Sequence, residues 1–268
     1  VTAPAEPGTP VGRRPLCAGE LVEAIDTKGR RYLFTLAAGG EFHTHAGPVA
    51  HDQLIGADEG CEARSSKGAR YLVWRPTLAQ FVLGMPRGAQ VIYPKDLGAI
   101  LMAADIFPGA RVFESGLGSG ALSMVLLRAG AVVTGYEIRS DFAERARRNV
   151  TAFLGTGVLD RYEVHERDAY AGIDGTGYDR VVLDLPEPWQ VVPHAAGALR
   201  PGGILLAYTP SVVQVIQVRA ALEEHGFSSL ETIEVLHRSW HVEDPAVRPA
   251  HRMVGHTGFL THGRRLAT

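Results

Sequence analysis

Between Phe107 and His225, short apolar runs alternate with stretches of helical length, and no other feature constrains the fold as strongly. The expected strands are Arg111–Ser115, Ala131–Glu137, Tyr162–Arg167, Arg180–Leu185 and Gly203–Tyr208. The expected helices are Gly120–Ala129, Ser140–Phe153, Trp189–Leu199 and Ser211–His225. Parallel neighbours in a sheet need a long crossover, and a helix is the usual one. The alternation therefore predicts an α/β fold with a parallel sheet covered by helices on both faces. From about Ser228 two further β-like runs follow, the last being HTGFLTHGRRL, which suits an antiparallel edge pair after the fifth parallel strand.

The stretch before Phe107 has another character. LVEAID, TKGRRYLFTL and ARYLVWRP are short alternating runs, and Thr27-Lys28-Gly29 and Ser66-Lys67-Gly68 read as hairpin turns. They predict a small N-terminal β-rich domain over residues 19–76, with a flexible arm at 1–18. A linker and the start of the main domain fall at 77–106, and the main domain at 107–268. At 46% hydrophobic and 21% charged the chain has the composition of a globular protein with a sizeable core. A formal charge of -2 excludes a uniformly basic nucleic-acid binder, though not a basic patch on one face. Cys17 and Cys61 lie far apart without metal-type spacing, which fits a reducing, cytoplasmic setting. No window approaches 18 uninterrupted apolar residues, so no membrane-spanning helix is expected.

The chemistry is expected at FESGLGSGAL, residues 113–122. Gly116, Gly118 and Gly120 fall where the first parallel strand turns into the first helix. In an open α/β sheet a ligand sits beyond the carboxyl ends of the strands. The next strand ends in Glu137, 21 residues after Gly116, where a carboxylate can accept hydrogen bonds from both hydroxyls of a ribose. An adenosine-bearing cofactor follows, and NAD and S-adenosyl-L-methionine (SAM) both satisfy this pattern. Glu114 before the glycines suits a cationic amino-acid moiety better than a pyrophosphate. Asp168, in HERDAY, can reach the adenine amino group or simply cap a helix. Asp184 opens DLPEPW at the mouth of the same pocket. Together these tilt the choice to SAM.

QVIYPKDLG (90–98), FPGARVFESGLGSGAL (107–122), GYEIRSDFAERARRNV (135–150), DRVVLDLPEPW (179–189) and RPAHRMVGHTGFL (248–260) together resemble the bacterial, actinobacterial-type tRNA (adenine-58-N1)-methyltransferases. The resemblance runs from roughly Gly19 to Leu266. It implies a Rossmann-like class I methyltransferase sheet beside the small β domain, SAM as cofactor, tRNA as partner and a homotetramer. It also implies that Gly116, Leu117, Gly118, Ser119 and Gly120 wrap the methionine and ribose part of SAM. By the same resemblance Glu137 binds the ribose and Asp168 the adenine. Asp184 becomes the active-site carboxylate, Tyr93 lines the target-base pocket, and Gln90 closes over the cofactor. Ser115 and Leu117 depart from the smaller residues usual there, and Leu117 is expected to add bulk beside the cofactor.

Other features compete for attention. His43, His45, His51 and Asp52 in FHTHAGPVAHD resemble a metal site on paper, yet the run looks linker-like and structural or RNA-facing histidines are preferred. Trp189 reads as an aromatic packed on the sheet. Basic clusters at 29–32, 64–70, 144–149, 248–252 and 263–266 are each a solvated face alone, but together could track RNA phosphates. The competing functions are a methyltransferase of a small molecule or protein, an NAD-dependent oxidoreductase, and a non-catalytic RNA-binding subunit. The absence of G-x-G-x-x-G spacing and the presence of DLPEPW speak against the oxidoreductase.

Overall fold

The computed structural model describes residues 14–88 and 90–267, which fall into two compact units meeting in sequence at Met85 and Pro86. Residues 1–13 of the expected arm lie outside the described residues. Arg14–Ala18 are held: Leu16 is fully buried, donates its N–H to the Ala57 carbonyl and accepts from Gly56 N.

The first unit is β-rich, as expected. Strands β1 (Leu21–Asp26), β2 (Arg31–Thr35), β3 (Glu41–Thr44), β4 (Gly47–Ala50), β5 (Cys61–Arg64) and β6 (Arg70–Trp74) precede helix α1 (Leu78–Gly84). An antiparallel sheet of order β2-β1-β6-β5 forms beside a β3-β4 hairpin. Both predicted turns close hairpins, with Gly29 and Gly68 at positive φ. A core of Leu16, Val22, Leu36, Leu54, Tyr71 and Val73 lies beneath. FHTHAGPVAHD is not linker-like: it builds β3, β4 and the short turn His51–Gln53. Its histidines have separate tasks. His51 is buried, accepts from Ala37 N at 3.0 Å through Nδ1 and stacks on Phe34, whereas His45 contacts Arg30 at 2.8 Å.

The second unit begins with α2 (Pro94–Ala103) and continues β7 (Arg111–Ser115), α3 (Ala121–Arg128), β8 (Val132–Glu137), α4 (Ser140–Leu154), β9 (Tyr162–Glu166), β10 (Tyr178–Leu183), α5 (Val192–Ala198), β11 (Leu199–Thr209) and α6 (Val212–Glu224). It ends with β12 (Phe227–Glu234), β13 (Trp240–Glu243), β14 (Ala246–Pro249) and β15 (Phe259–Arg265). The sheet order is β12-β15-β11-β10-β7-β8-β9. The five expected strands are parallel, and β12 and β15 form the antiparallel edge pair. The hairpin of β13 and β14 was not anticipated.

The central strands are apolar on both faces because helices cover both. Val112, Phe113, Val181, Val182, Leu205 and Leu206 are each at most 1% exposed. Helix α4 shows why one face docks: Phe142, Ala143, Ala146, Asn149 and Val150 recur at helical spacing and are the buried set. Helix α5 is shorter than predicted, starting at Val192 after a separate turn at Pro188–Gln190. Proline lacks an N–H and restricts its predecessor, so Pro188 and Pro193 both favour helix starts over one continuous helix. Trp189 is partly buried against the core, as expected.

Candidate functional site

The chain reverses from β7 into α3 through Gly116, Gly118 and Gly120, all at positive φ (+87°, +51°, +80°) where a side chain is strained. A Cβ on Gly116 would stand 2.0 Å from the Asp184 carbonyl oxygen. One on Gly120 would press on Ala146 of α4 at 3.1 Å, so this glycine also sets the approach of α3 to α4. Glu137, ending β8, accepts from Gly118 N at 3.1 Å through Oε2 and from Arg139 N at 3.1 Å through Oε1. Loop and acid are thereby one assembly. A cleft of about 60 Å³ opens here, lined by Ser115, Gly116, Tyr136, Glu137, Asp168 and Leu185 among others. It lies at the carboxyl ends of the parallel strands, where the α/β rule puts ligands.

Glu114 is fully buried at the foot of the loop. Its Oε1 accepts from Ser123 Oγ at 3.0 Å, and Ser123 in turn accepts from the Tyr162 hydroxyl at 3.0 Å. Its Oε2 has no partner among the described residues. Burial pushes this carboxyl up to about 8 against the Ser123 hydrogen bond, with help from the charges of Asp184 and Glu137. Asp184 is half-buried, just past β10, with its N–H on the Ser115 carbonyl at 2.9 Å. Burial, then the charge of Glu137, pushes it up to about 7. Its own charge acts on Tyr208, near the end of β11, whose hydroxyl is pushed up to about 12 mainly by burial. Perturbed acids gathered at a cleft mark functional sites.

The structure unites most of the predicted residues. Asp168 lines the cleft and also accepts from Tyr170 N at 2.9 Å, so both of its expected roles fit. Tyr93 is the half-buried residue that precedes α2, without a side-chain capping bond. Ser119 is buried with an unpartnered hydroxyl among the described residues. Gln90 is exposed and follows Ala89, which lies outside the described residues. Leu117 corrects an expectation. Its side chain is 3% exposed and lies over Gly135 of β8, where an added Cβ would meet it at 2.7 Å. The bulk is absorbed by a glycine on the neighbouring strand. Ser123, Tyr162 and Tyr208 escaped the sequence reading. Tyr208 was within reach of it, since it falls at the carboxyl end of a parallel strand, as Glu114, Glu137 and Asp184 do.

The chain's residues fit SAM on three counts. The Glu114 carboxyl has a buried oxygen without a partner among the described residues, the Glu137 carboxylate ends the next strand against the loop, and the loop has no side chain at its three positive-φ positions. Fold and site together define a class I SAM-dependent methyltransferase. Comparison with known proteins narrows the class. Residues 70–248 match the family described as tRNA methyltransferase complex GCD14 subunit, and residues 15–61 match the TrmI-like N-terminal family. The chain is 41% identical over 243 residues to a tRNA (adenine(58)-N(1))-methyltransferase TrmI of Thermus thermophilus, covering 90% of this chain and 94% of that one. It is 34% identical to the tRNA (adenine(57)-N(1)/adenine(58)-N(1))-methyltransferase TrmI of Methanocaldococcus jannaschii, with 90% and 93% coverage. Among solved structures, the Aquifex aeolicus tRNA (m1A58) methyltransferase TrmI superposes with TM-score 0.82 at 29% identity, covering 95% of this chain and all of that one. A Thermotoga maritima protein described as a SAM-dependent O-methyltransferase superposes with TM-score 0.89 at 30% identity, with 94% and 95% coverage. The chain belongs to the GCD14/TrmI family of tRNA methyltransferases.

Proposed function

We propose that this chain transfers the methyl group of SAM to N1 of adenine 58 in the T-loop of tRNA. The observation that carries it is the convergence of Glu114, the Gly116–Gly120 loop, Glu137 and Asp184 toward the carboxyl ends of adjacent parallel strands, in a chain of this family. SAM supplies a methyl on a positively charged sulfur, so the leaving group is already good and the protein's task is alignment. Gly116, Gly118, Ser119 and Gly120 form the cradle with the main chain of Leu117, and Glu114 faces the amino-acid portion. Glu137 holds the ribose, Asp168 the adenine, and Gln90 closes over them.

N1 of adenine sits on the pairing edge, so the base must leave its stack to be reached. Asp184 accepts from the exocyclic amine, orients N1 and offsets the positive charge that grows on the ring. It acts by electrostatics and orientation, with no strong general base required at transfer. Tyr93 and Tyr208 border the target base.

The chain acts on tRNA as a homotetramer in the cytoplasm. Val212, Val213 and Ile216 on α6 and Trp240, Val242 and Val247 on the β13–β14 hairpin are each at least 60% exposed, an apolar surface suited to self-association. Among the described residues no helix is long and apolar enough to cross a membrane.

The test is incubation of the full chain with unmodified tRNA and methyl-labelled SAM, followed by mapping of the nucleoside. Label on N1 of adenine 58 is expected. Label on an oxygen, as the description of the Thermotoga relative invites, or transfer to free adenosine as readily as to tRNA, overturns the proposal.

A further inference from the structure

The motif RPAHRMVGHTGFL has no part in the cofactor cleft, yet its HTG segment is bound to the start of α2 by a closed set of buried hydrogen bonds. Lys95 Nζ donates to Asp96 Oδ1 at 2.8 Å, to Thr257 Oγ1 at 2.6 Å and to the Val235 carbonyl at 2.6 Å. Thr257 Oγ1 donates to Asp96 Oδ2 at 2.6 Å. The Lys95 and Asp96 side chains are 7% and 0% exposed. Three ammonium protons and both carboxylate oxygens are thus satisfied away from water, the condition under which a buried ion pair fixes one geometry.

Both ends of this clasp carry a tyrosine of the acceptor side. Tyr93 ends the segment that Lys95 and Asp96 anchor, and its carbonyl accepts from Asp96 N at 2.9 Å and Leu97 N at 3.0 Å. The Tyr208 hydroxyl donates to the Thr257 carbonyl at 2.7 Å. Gly258 lies flat against the same ring, where a Cβ would stand 2.5 Å from Tyr208 Cζ. His256 secures the segment from the other side, contacting Glu234 Oε1 and the Pro210 carbonyl at 2.7 Å each. None of these bonds reaches Glu114, the glycine loop or Glu137.

We propose that Thr257, through the Lys95–Asp96 pair, is a positioning residue for methyl transfer that sets Tyr93 and Tyr208 against the target base and leaves cofactor binding untouched. This rests on the assignment of those tyrosines to the acceptor side.

The test compares the full-length protein with Thr257→Val, which keeps the shape and removes the hydroxyl, and with Thr257→Ser, which restores it. Calorimetry with SAM, thermal melting, and kcat and KM for unmodified tRNA are measured on each. Thr257→Val is expected to bind SAM within about twofold of the parent while kcat at saturating tRNA falls by about tenfold to a hundredfold, the scale of a small misplacement in a positioned site. Thr257→Ser should recover most of that loss. In a Tyr208→Phe background the same Thr257→Val change should cost little more, because the two act in series. Gly258→Ala, which presses on the Tyr208 ring and hydroxyl while keeping the side-chain bonds among Lys95, Asp96 and Thr257, should give the same split and serves if Thr257→Val does not fold. Unchanged kcat in both variants, or loss of SAM binding in step with turnover, overturns the proposal. A parent that binds SAM yet leaves adenine 58 unmethylated overturns instead the functional assignment on which it stands.

Discussion

Gly116 and Asp184 are in contact through the main chain: the carbonyl of the aspartate fills the space where a side chain on residue 116 would begin, 2.0 Å away. Positive φ adds a second penalty to any substitution there. Gly116→Ala must therefore displace either the glycine loop or the start of DLPEPW. We expect SAM affinity to fall beyond calorimetric detection, with a measurable loss of thermal stability, whereas Gly157→Ala, which meets open space, should change neither.

The raised carboxyls make the protein sensitive to pH. Glu114, pushed up to about 8, and Asp184, pushed up to about 7, retain protons in the folded state that the unfolded chain has already released at the ordinary carboxylate values of 4.5 and 3.8. The stability these two groups contribute without ligand is consequently fullest below those ordinary values and is lost as pH rises through about 7 to 8. A cationic ligand favours the ionised carboxyls, so SAM affinity should rise over the same interval with release of protons. Melting curves from pH 5 to 9, and calorimetry in buffers of different ionisation enthalpy, read both effects. A flat melting profile in the parent, or one unchanged by Glu114→Gln, contradicts the account.

Asp184→Ala removes the proposed acceptor for the exocyclic amine while sparing the cradle. Single-turnover transfer to tRNA should fall by at least about two orders of magnitude, within the range found when an electrostatic partner of a transition state is deleted. SAM binding should persist. Near-parent single-turnover rates would remove Asp184 from the acceptor site.

The exposed apolar face of α6 offers a test of assembly. Val213→Lys with Ile216→Lys places two charges at residues now 65% and 63% exposed. Light scattering should show a tetramer in the parent and smaller species in the variant, with the melting of the isolated subunit little altered.

Much of the second unit was legible because its signals are local. Strand–helix alternation, the three glycines, Glu137 at its strand end and the acid opening DLPEPW each follow from neighbouring residues, and the sheet order places them together. The failures have non-local causes. The expectation for Leu117 failed because the room for its side chain is made by Gly135, on the adjoining strand. FHTHAGPVAHD read as a linker because its order comes from distant partners: the Ala37 amide on His51 and the Gly39 amide on Asp52 at 3.0 Å each. Thr257 could not be linked to Lys95 and Asp96 before folding, with some 160 residues between them.

The tight seam between Gly116 and Asp184 bears on how the enzyme meets its substrate. With a glycine at 116 the two turns pack backbone to backbone, so a shift of one must be accommodated by the other. A substitution that displaces the loop therefore also displaces Asp184.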